Sequence, residues 1–233
     1  MLRWWRVAVL SVLLGGLSAG CDLVAPPGPP PASGHAARPA EGPAGSARAL
    51  LATLAVKGRA PKTGYDRDRF GSAWTDTDRN GCDTRNDVLA RDLTAETFRA
   101  GTHRCVVLTG RLADPYTGKT ITFAKARASA IQVDHVVALS DAWQTGAFGW
   151  PAERRLAFAN DPLNLLAVDG PTNQAKGDGD AATWLPPAKA YRCRYVARQV
   201  AVKAKYRLWV TPAERDALTR VLASCPGEAA PRR

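Results

Sequence analysis

A charged pair set inside an apolar run constrains this chain more than any other feature. Residues 131–139 read Ile-Gln-Val-Asp-His-Val-Val-Ala-Leu, with Asp134 and His135 at the centre. A carboxylate and an imidazole buried together are costly unless they are paired, hydrogen-bonded or bound to an ion. A second apolar run at 163–168 carries Asn164. Residues 171–177 then open a third element with Asn173 and, three residues on, Lys176. The pattern predicts a strand, a second short buried strand and a helix. On that helix Lys176 falls on the same face as Asn173. Neighbours on a regular strand face opposite ways, so Asp134 and His135 share a site only if the strand twists, ends or bulges there. Singly, each residue has a plainer role: a surface ion pair, a turn residue for Asn164, a helix cap for Asn173, a solvated Lys176. Their coincidence in one segment favours a site.

The Asp-His…Asn…Asn-x-x-Lys-Gly combination resembles the His-Asn-His endonucleases. More narrowly, it resembles an exported bacterial branch in which Asn replaces the last His. A second block, Tyr65-Asp66-Arg67 through Trp74 and on across 76–93, is similar to the same branch. The resemblance implies an α+β fold with a ββα-metal (His-Me finger) core, to which helices, a β-hairpin and disulfides are added. It implies hydrolysis of phosphodiesters, leaving a 5′-phosphate and a 3′-hydroxyl. His135 suits the general base, since an imidazole titrates near neutrality, and activity should then fall below about pH 6.5. Asp134 and Asn173 offer oxygen ligands suited to one Mg²⁺ or Mn²⁺ rather than zinc. Asn164 matches the middle Asn of the motif, which braces the loop carrying the base. Lys176 would place positive charge on the phosphate, and Arg85 matches a phosphate-binding position.

The N-terminus reads as an export signal. Arg3 and Arg6 precede an apolar run at 7–14 that is too short to span a bilayer, and small residues follow. Ser18-Ala19-Gly20-Cys21 resembles a bacterial lipobox, which implies a lipid on Cys21 and anchoring to the outer face of the cell membrane. Ordinary cleavage and secretion is the alternative. Without Cys21 four cysteines remain, an even set that reads as two disulfides in an exported chain. Of three pairings, Cys82–Cys105 and Cys193–Cys225 are preferred because both close short loops. The lack of a Cys-x-x-Cys pair argues against zinc.

With 32 Lys+Arg against 21 Asp+Glu and 45% hydrophobic residues, the 233-residue chain is basic and ordinarily globular. That excludes collagen-like, wholly disordered and polytopic membrane chains. Removing residues 1–20 takes away only two of the cationic charges. Residues 21–46 read as a Pro/Ala/Gly tether, 47–228 as a single, monomeric nuclease domain and 229–233 as a disordered tail. Helices are expected at 47–56, 140–146, 151–159, 187–209 and 212–223, the last with a capping box from Thr211 and Glu214. Strands are expected at 105–112 and 119–123. Residues 65–92 are polar and receive no element.

Within that block, Asp76-x-Asp78-x-Asn80-Gly81 matches the opening of a Ca²⁺ loop that would close at Asp87. Asp at the closing position and Asp83 at the usually apolar one argue for a turn pinned by Cys82 instead. Residues 181–213 contain no acid and seven basic residues, which suits nucleic-acid phosphate and salt-sensitive binding. Anionic lipid or cell-wall polymer would suit them too.

Together these features describe an exported, metal-dependent endonuclease acting on DNA, with RNA left open. No base-reading module is visible, so little sequence preference is expected. The competing readings are a non-catalytic polyanion-binding lipoprotein, which needs neither His135 nor a metal, and a metallohydrolase acting on a small phosphodiester.

Overall fold

A computed structural model describes residues 43–232. The export signal, Cys21 and most of the tether lie outside the described residues. The element order is mixed α+β. At its centre is an antiparallel two-stranded ribbon of β4 (Ile131–His135) and β5 (Leu165–Asp169), with Val133 opposite Ala167 and His135 opposite Leu165. Both strands are apolar almost throughout because both faces of the ribbon are covered. Ile131, Val133, Leu165 and Ala167 face one core, with Val88 and Leu89. Val136, Leu166 and Val168 face the other, with Tyr116, Tyr195 and Val200.

Two short helices, α3 (Leu139–Gln144) and α4 (Ala152–Ala159), lie between the ribbon's strands in sequence and pack in a third core around Phe70, Trp143 and Phe158. After β5 the chain turns directly into α5 (Gly170–Lys176), which packs on both strands. Asp169 caps this helix, accepting from Thr172 N at 2.9 Å. Gly170 is required by close approach: a Cβ there would lie 2.1 Å from the Ser129 carbonyl oxygen.

The structure adds two elements that the polar block did not suggest. Helix α2 (Thr84–Asp92) starts at the cap residue Asp83, which accepts from Asn86 N at 2.8 Å, and packs against the ribbon. Strand β1 (Leu93–Phe98) follows without a break and pairs with β2 (Val107–Ala113), which pairs with β3 (Thr120–Ala124), all antiparallel. β1 is exposed on most of its length and its register shifts between Thr94 and Thr97, so it lacks the clean alternation that marks a strand.

Helix α1 is shorter than expected, Ala47–Ala52. The long basic helix is also shorter: α6 spans Arg192–Tyr206, because Pro186 and Pro187 delay its start and Arg207 ends it in the left-handed conformation. Helix α7 (Pro212–Ala223) begins at the Thr211–Glu214 capping box. Cys82 is bonded to Cys105 and Cys193 to Cys225. The second bridge joins the start of α6 to the chain just beyond α7. Ser46 pairs with Ala229, and Ala47 N donates to Glu228 O at 2.8 Å, so the segment before α1 meets the chain beyond α7. No helix of the described residues is long and apolar enough to cross a membrane.

The basic stretch is largely committed to the protein itself. Arg198 donates to the carbonyls of Leu163, Pro162 and Leu165, and Arg192 to Pro186 O. Lys205 pairs with Asp161, and Lys203 is wholly buried between Asp141 and Glu214. Four of the seven charges therefore brace the fold instead of forming a free phosphate-binding face.

Candidate active site

β4 ends at His135, and a cleft of about 780 Å³ opens at that end. Asp134, His135 and Asn173 all line it. The strand is regularly paired through His135, and the two neighbours leave it on opposite faces. Asp134 turns toward Tyr116 and α5, and His135 toward Trp74 and the end of α4. Termination of the strand, not a bulge, lets both reach one cleft.

His135 is buried, and its Nε2 lies 2.8 Å from the carbonyl oxygen of Ala159. A carbonyl only accepts, so Nε2 carries the proton and Nδ1 is left with a lone pair. Burial pushes the imidazole down to about 3, against the Ala159 hydrogen bond and with help from the charges of Arg67 and Lys176. The ring stays neutral far below the pH 6.5 inferred from an exposed histidine. The Trp74 ring is nearly parallel to it, at 12° with centroids 6.1 Å apart.

Asp134 is 5% exposed. Its Oδ1 accepts from Lys176 Nζ at 2.8 Å and its Oδ2 from the Tyr116 hydroxyl at 2.5 Å. Burial raises the carboxyl's pKa, while the Lys176 ammonium and the Tyr116 hydroxyl oppose that rise. Lys176 also donates to the His135 carbonyl at 2.8 Å. It is therefore not placed as a free charge for phosphate, which corrects the sequence expectation. It sits one turn from Asn173, as foreseen, but a buried ammonium is drawn to the one carboxylate within reach.

Asn173 Nδ2 donates to Gln132 Oε1 at 2.9 Å. Its Oδ1 has no hydrogen bond from the described residues. Each Asp134 oxygen keeps a second lone pair. The cleft thus offers an all-oxygen donor set of carboxylate and amide, which fits a hard divalent cation such as Mg²⁺ or Mn²⁺.

Asn164 is fully buried and does not line the cleft. Its Oδ1 accepts from Val137 N at 2.8 Å, and its own carbonyl accepts from Val136 N at 2.8 Å. It holds the chain that leaves His135. Arg91 and Arg198 in turn clamp the carbonyls of Pro162 and Leu165 around it.

Arg85 lines neither cavity beside His135. It sits half-buried on α2, its guanidinium shifted down by burial and partly restored by Asp83. Of the two cations that line the cleft, Lys62 is paired with Asp178, whereas Arg67 borders both cavities next to His135 and makes no ion pair with the described residues. The sequence signal for it is weak: one arginine in a polar stretch, inside the block Tyr65-Asp66-Arg67 through Trp74. It arrives on a strap, residues 55–74, fixed along its length. Ala55 and Lys57 bond to Val210, Arg59 to Asp141 at 2.9 Å and Asp180 at 2.6 Å, and Lys62 to Asp178 at 3.1 Å.

In the 76–87 block, Asp76 accepts from Gly81 N and Asn80 N, and Asn80 Nδ2 donates to Asp78 and Asp87, so these side chains hold a turn. Among the described residues, three ligand-type side chains converge at Asp141, Asp180 and Glu214, where Arg59 and Lys203 already lie between them.

A buried imidazole, two oxygen donors and a guanidinium without an ion-pair partner among the described residues thus border one cleft. Residues 83–221 match the family model of the GmrSD restriction endonucleases, C-terminal domain, and the chain belongs to that family. A relative from Arthroderma benhamiae, described only as an "Uncharacterized secreted protein", is 40% identical over 226 residues, covering 96% of this chain and 100% of its own. No solved structure matches. The family match begins after the strap, so Tyr65, Arg67 and Trp74 border the site from outside the matched region.

Proposed function

We propose that the protein is a divalent-metal-dependent endonuclease that hydrolyses phosphodiester bonds of DNA, with RNA open as a second substrate, outside the cell and with little sequence preference. On this reading β4, β5 and α5 are the ββα-metal core of an HNH-type enzyme. The observation that carries it is the His135–Ala159 hydrogen bond, which leaves a lone pair on Nδ1 of a ring that lines the cleft with Asp134 and Asn173.

His135 Nδ1 takes the proton of the attacking water. The ring needs no prior deprotonation, because burial keeps it neutral. Asp134 and Asn173 hold the metal, and when bound it supplies Lewis-acid stabilisation of the phosphate and the leaving oxygen. Lys176 and Tyr116 fix the Asp134 carboxylate. Arg67 meets the negative charge that develops on the phosphate. Asn164 keeps the chain around the base in place. The two disulfides fit an oxidising compartment. The lipid at Cys21 and the monomeric state belong to the same proposal.

Supercoiled plasmid and single-stranded circular DNA, incubated with Mg²⁺, Mn²⁺ or EDTA, test the reading. Wild type should cut with metal and not in EDTA, and His135→Ala should lose about 10²–10⁴-fold. If both proteins are equally inert in every metal, the non-catalytic polyanion-binding reading replaces this one.

A further inference from the structure

A second cavity lies on the other side of His135 from Asp134. It measures about 420 Å³ counted out into its open mouth. Its character differs from that of the catalytic cleft. The cleft is walled mainly by Lys62, Asp134, Ser140, Asn173 and Asp178, and the second cavity by Phe70, Ala73, Trp74 and Ala159 beside Asp68, Ser72 and Asn160. The two share Arg67, His135 and Leu139. A polar chamber and one with an aromatic wall thus meet at a guanidinium, an imidazole and Leu139.

That pairing matches the two halves of a nucleotide. We propose that the second cavity seats a nucleobase adjoining the phosphate held in the cleft, with Trp74 as its stacking surface. The occupant is chosen on the nuclease reading above. The placement of Trp74 supports it. The residue has φ +59, a left-handed conformation costly for a bulky side chain. Its backbone is held there by Thr84, which donates to the Trp74 carbonyl, and by the Thr84 hydroxyl on the Thr75 carbonyl at 2.6 Å. Asn160, 2% exposed, closes the cavity. Its Nδ2 donates to Leu156 O, and its Oδ1 has no partner in the described protein. A small movement of the wall would offer that acceptor to the N–H edge of a base. A base seated here cannot also be paired and stacked in a duplex, so the substrate class is single-stranded or locally opened nucleic acid.

The test reads binding, without cleavage. Fluorescence anisotropy in EDTA compares a labelled single-stranded oligonucleotide with an abasic strand of equal length and charge. Wild type should bind the base-bearing strand about tenfold more tightly. Trp74→Gly, which suits the positive φ and so spares the backbone, should erase the difference, and Trp74→Phe should keep most of it. Equal Kd values for the two strands in wild type, or an undiminished gap in Trp74→Gly, would overturn the proposal. Plasmid and single-stranded circles both left intact, with a persistent gap, would sink the catalytic reading alone, and cutting without any gap would sink the base site alone.

Discussion

Asn164 grips Val137 by both backbone groups: its Oδ1 accepts from the Val137 N–H at 2.8 Å and its Nδ2 donates to the Val137 carbonyl at 3.3 Å. Val137 is two residues past His135 and buried. The side chain just ahead of β5 therefore sets the direction in which the chain leaves β4 and the candidate base.

Replacing Asn164 with Ala leaves a buried donor and acceptor without partners. The expected loss is about 2–4 kcal/mol in urea unfolding. Nicking should fall in kcat more than in KM, because the reacting ring is displaced while the phosphate contacts remain. Unchanged unfolding would show that the loop is held by other bonds.

The Asp134–Lys176 pair separates folding from chemistry. Lys176→Met strands a buried carboxylate and should cost about 3–5 kcal/mol. Adding Asp134→Asn removes the stranded charge, so the double variant should regain most of that stability in thermal melts. It should stay inactive, since the carboxylate has gone. Recovery of activity in the double variant would remove Asp134 from the metal site.

Stability should depend on pH through Glu214. Burial pushes its carboxyl up from 4.5 to about 7, against the opposing pull of Lys203 and with a contribution from Asp141. A folded-state pKa above the unfolded one means that the folded protein holds the proton more tightly. The contribution is complete below about pH 4.5 and is lost as pH rises through 7. Melting temperature should fall across that window, and Glu214→Gln should flatten the fall. An equal slope in the variant would assign it elsewhere.

The bridges close loops of 23 and 32 residues by sequence separation. On a chain-entropy account each contributes about 3–4 kcal/mol. Removing Cys193–Cys225, by substituting both cysteines with Ala, should lower the unfolding midpoint by a corresponding amount. It should also expose the paired termini at Ser46 and Ala229 to protease, because the bridge ends beside them.

The ribbon and α5 were legible in the sequence because each carries an unambiguous local signal: apolar runs for β4 and β5, and a Pro near the start and Gly at the end of α5. The capping box of α7 was equally plain. Helix α2 and strand β1 were not, since α2 shows a mostly polar face and β1 is exposed along most of its length. At the site, the resemblance of the Asp-His…Asn…Asn-x-x-Lys-Gly pattern groups Asp134, His135 and Asn173, and one cleft is lined by all three. The inward turn of Lys176 could not be read in this way, because it depends on Tyr116 and β4 arriving from elsewhere to form a closed chamber. Arg67 and Trp74 escaped notice as site walls for the same reason: a strap without periodic structure carries no sign of where it is tied down.

The strap lies outside the residues that match the family. Arg59 is moored to Asp141 and Asp180, and Asp141 is gripped from the opposite side by Lys203 of α6. A recombinant piece trimmed to residues 83–221 would keep the imidazole and the oxygen donors. It would lack the guanidinium and the indole, and Asp141 and Asp180 would lose their Arg59 counterion. Such a fragment would be half a vessel, open to bulk water where the intact protein has a wall.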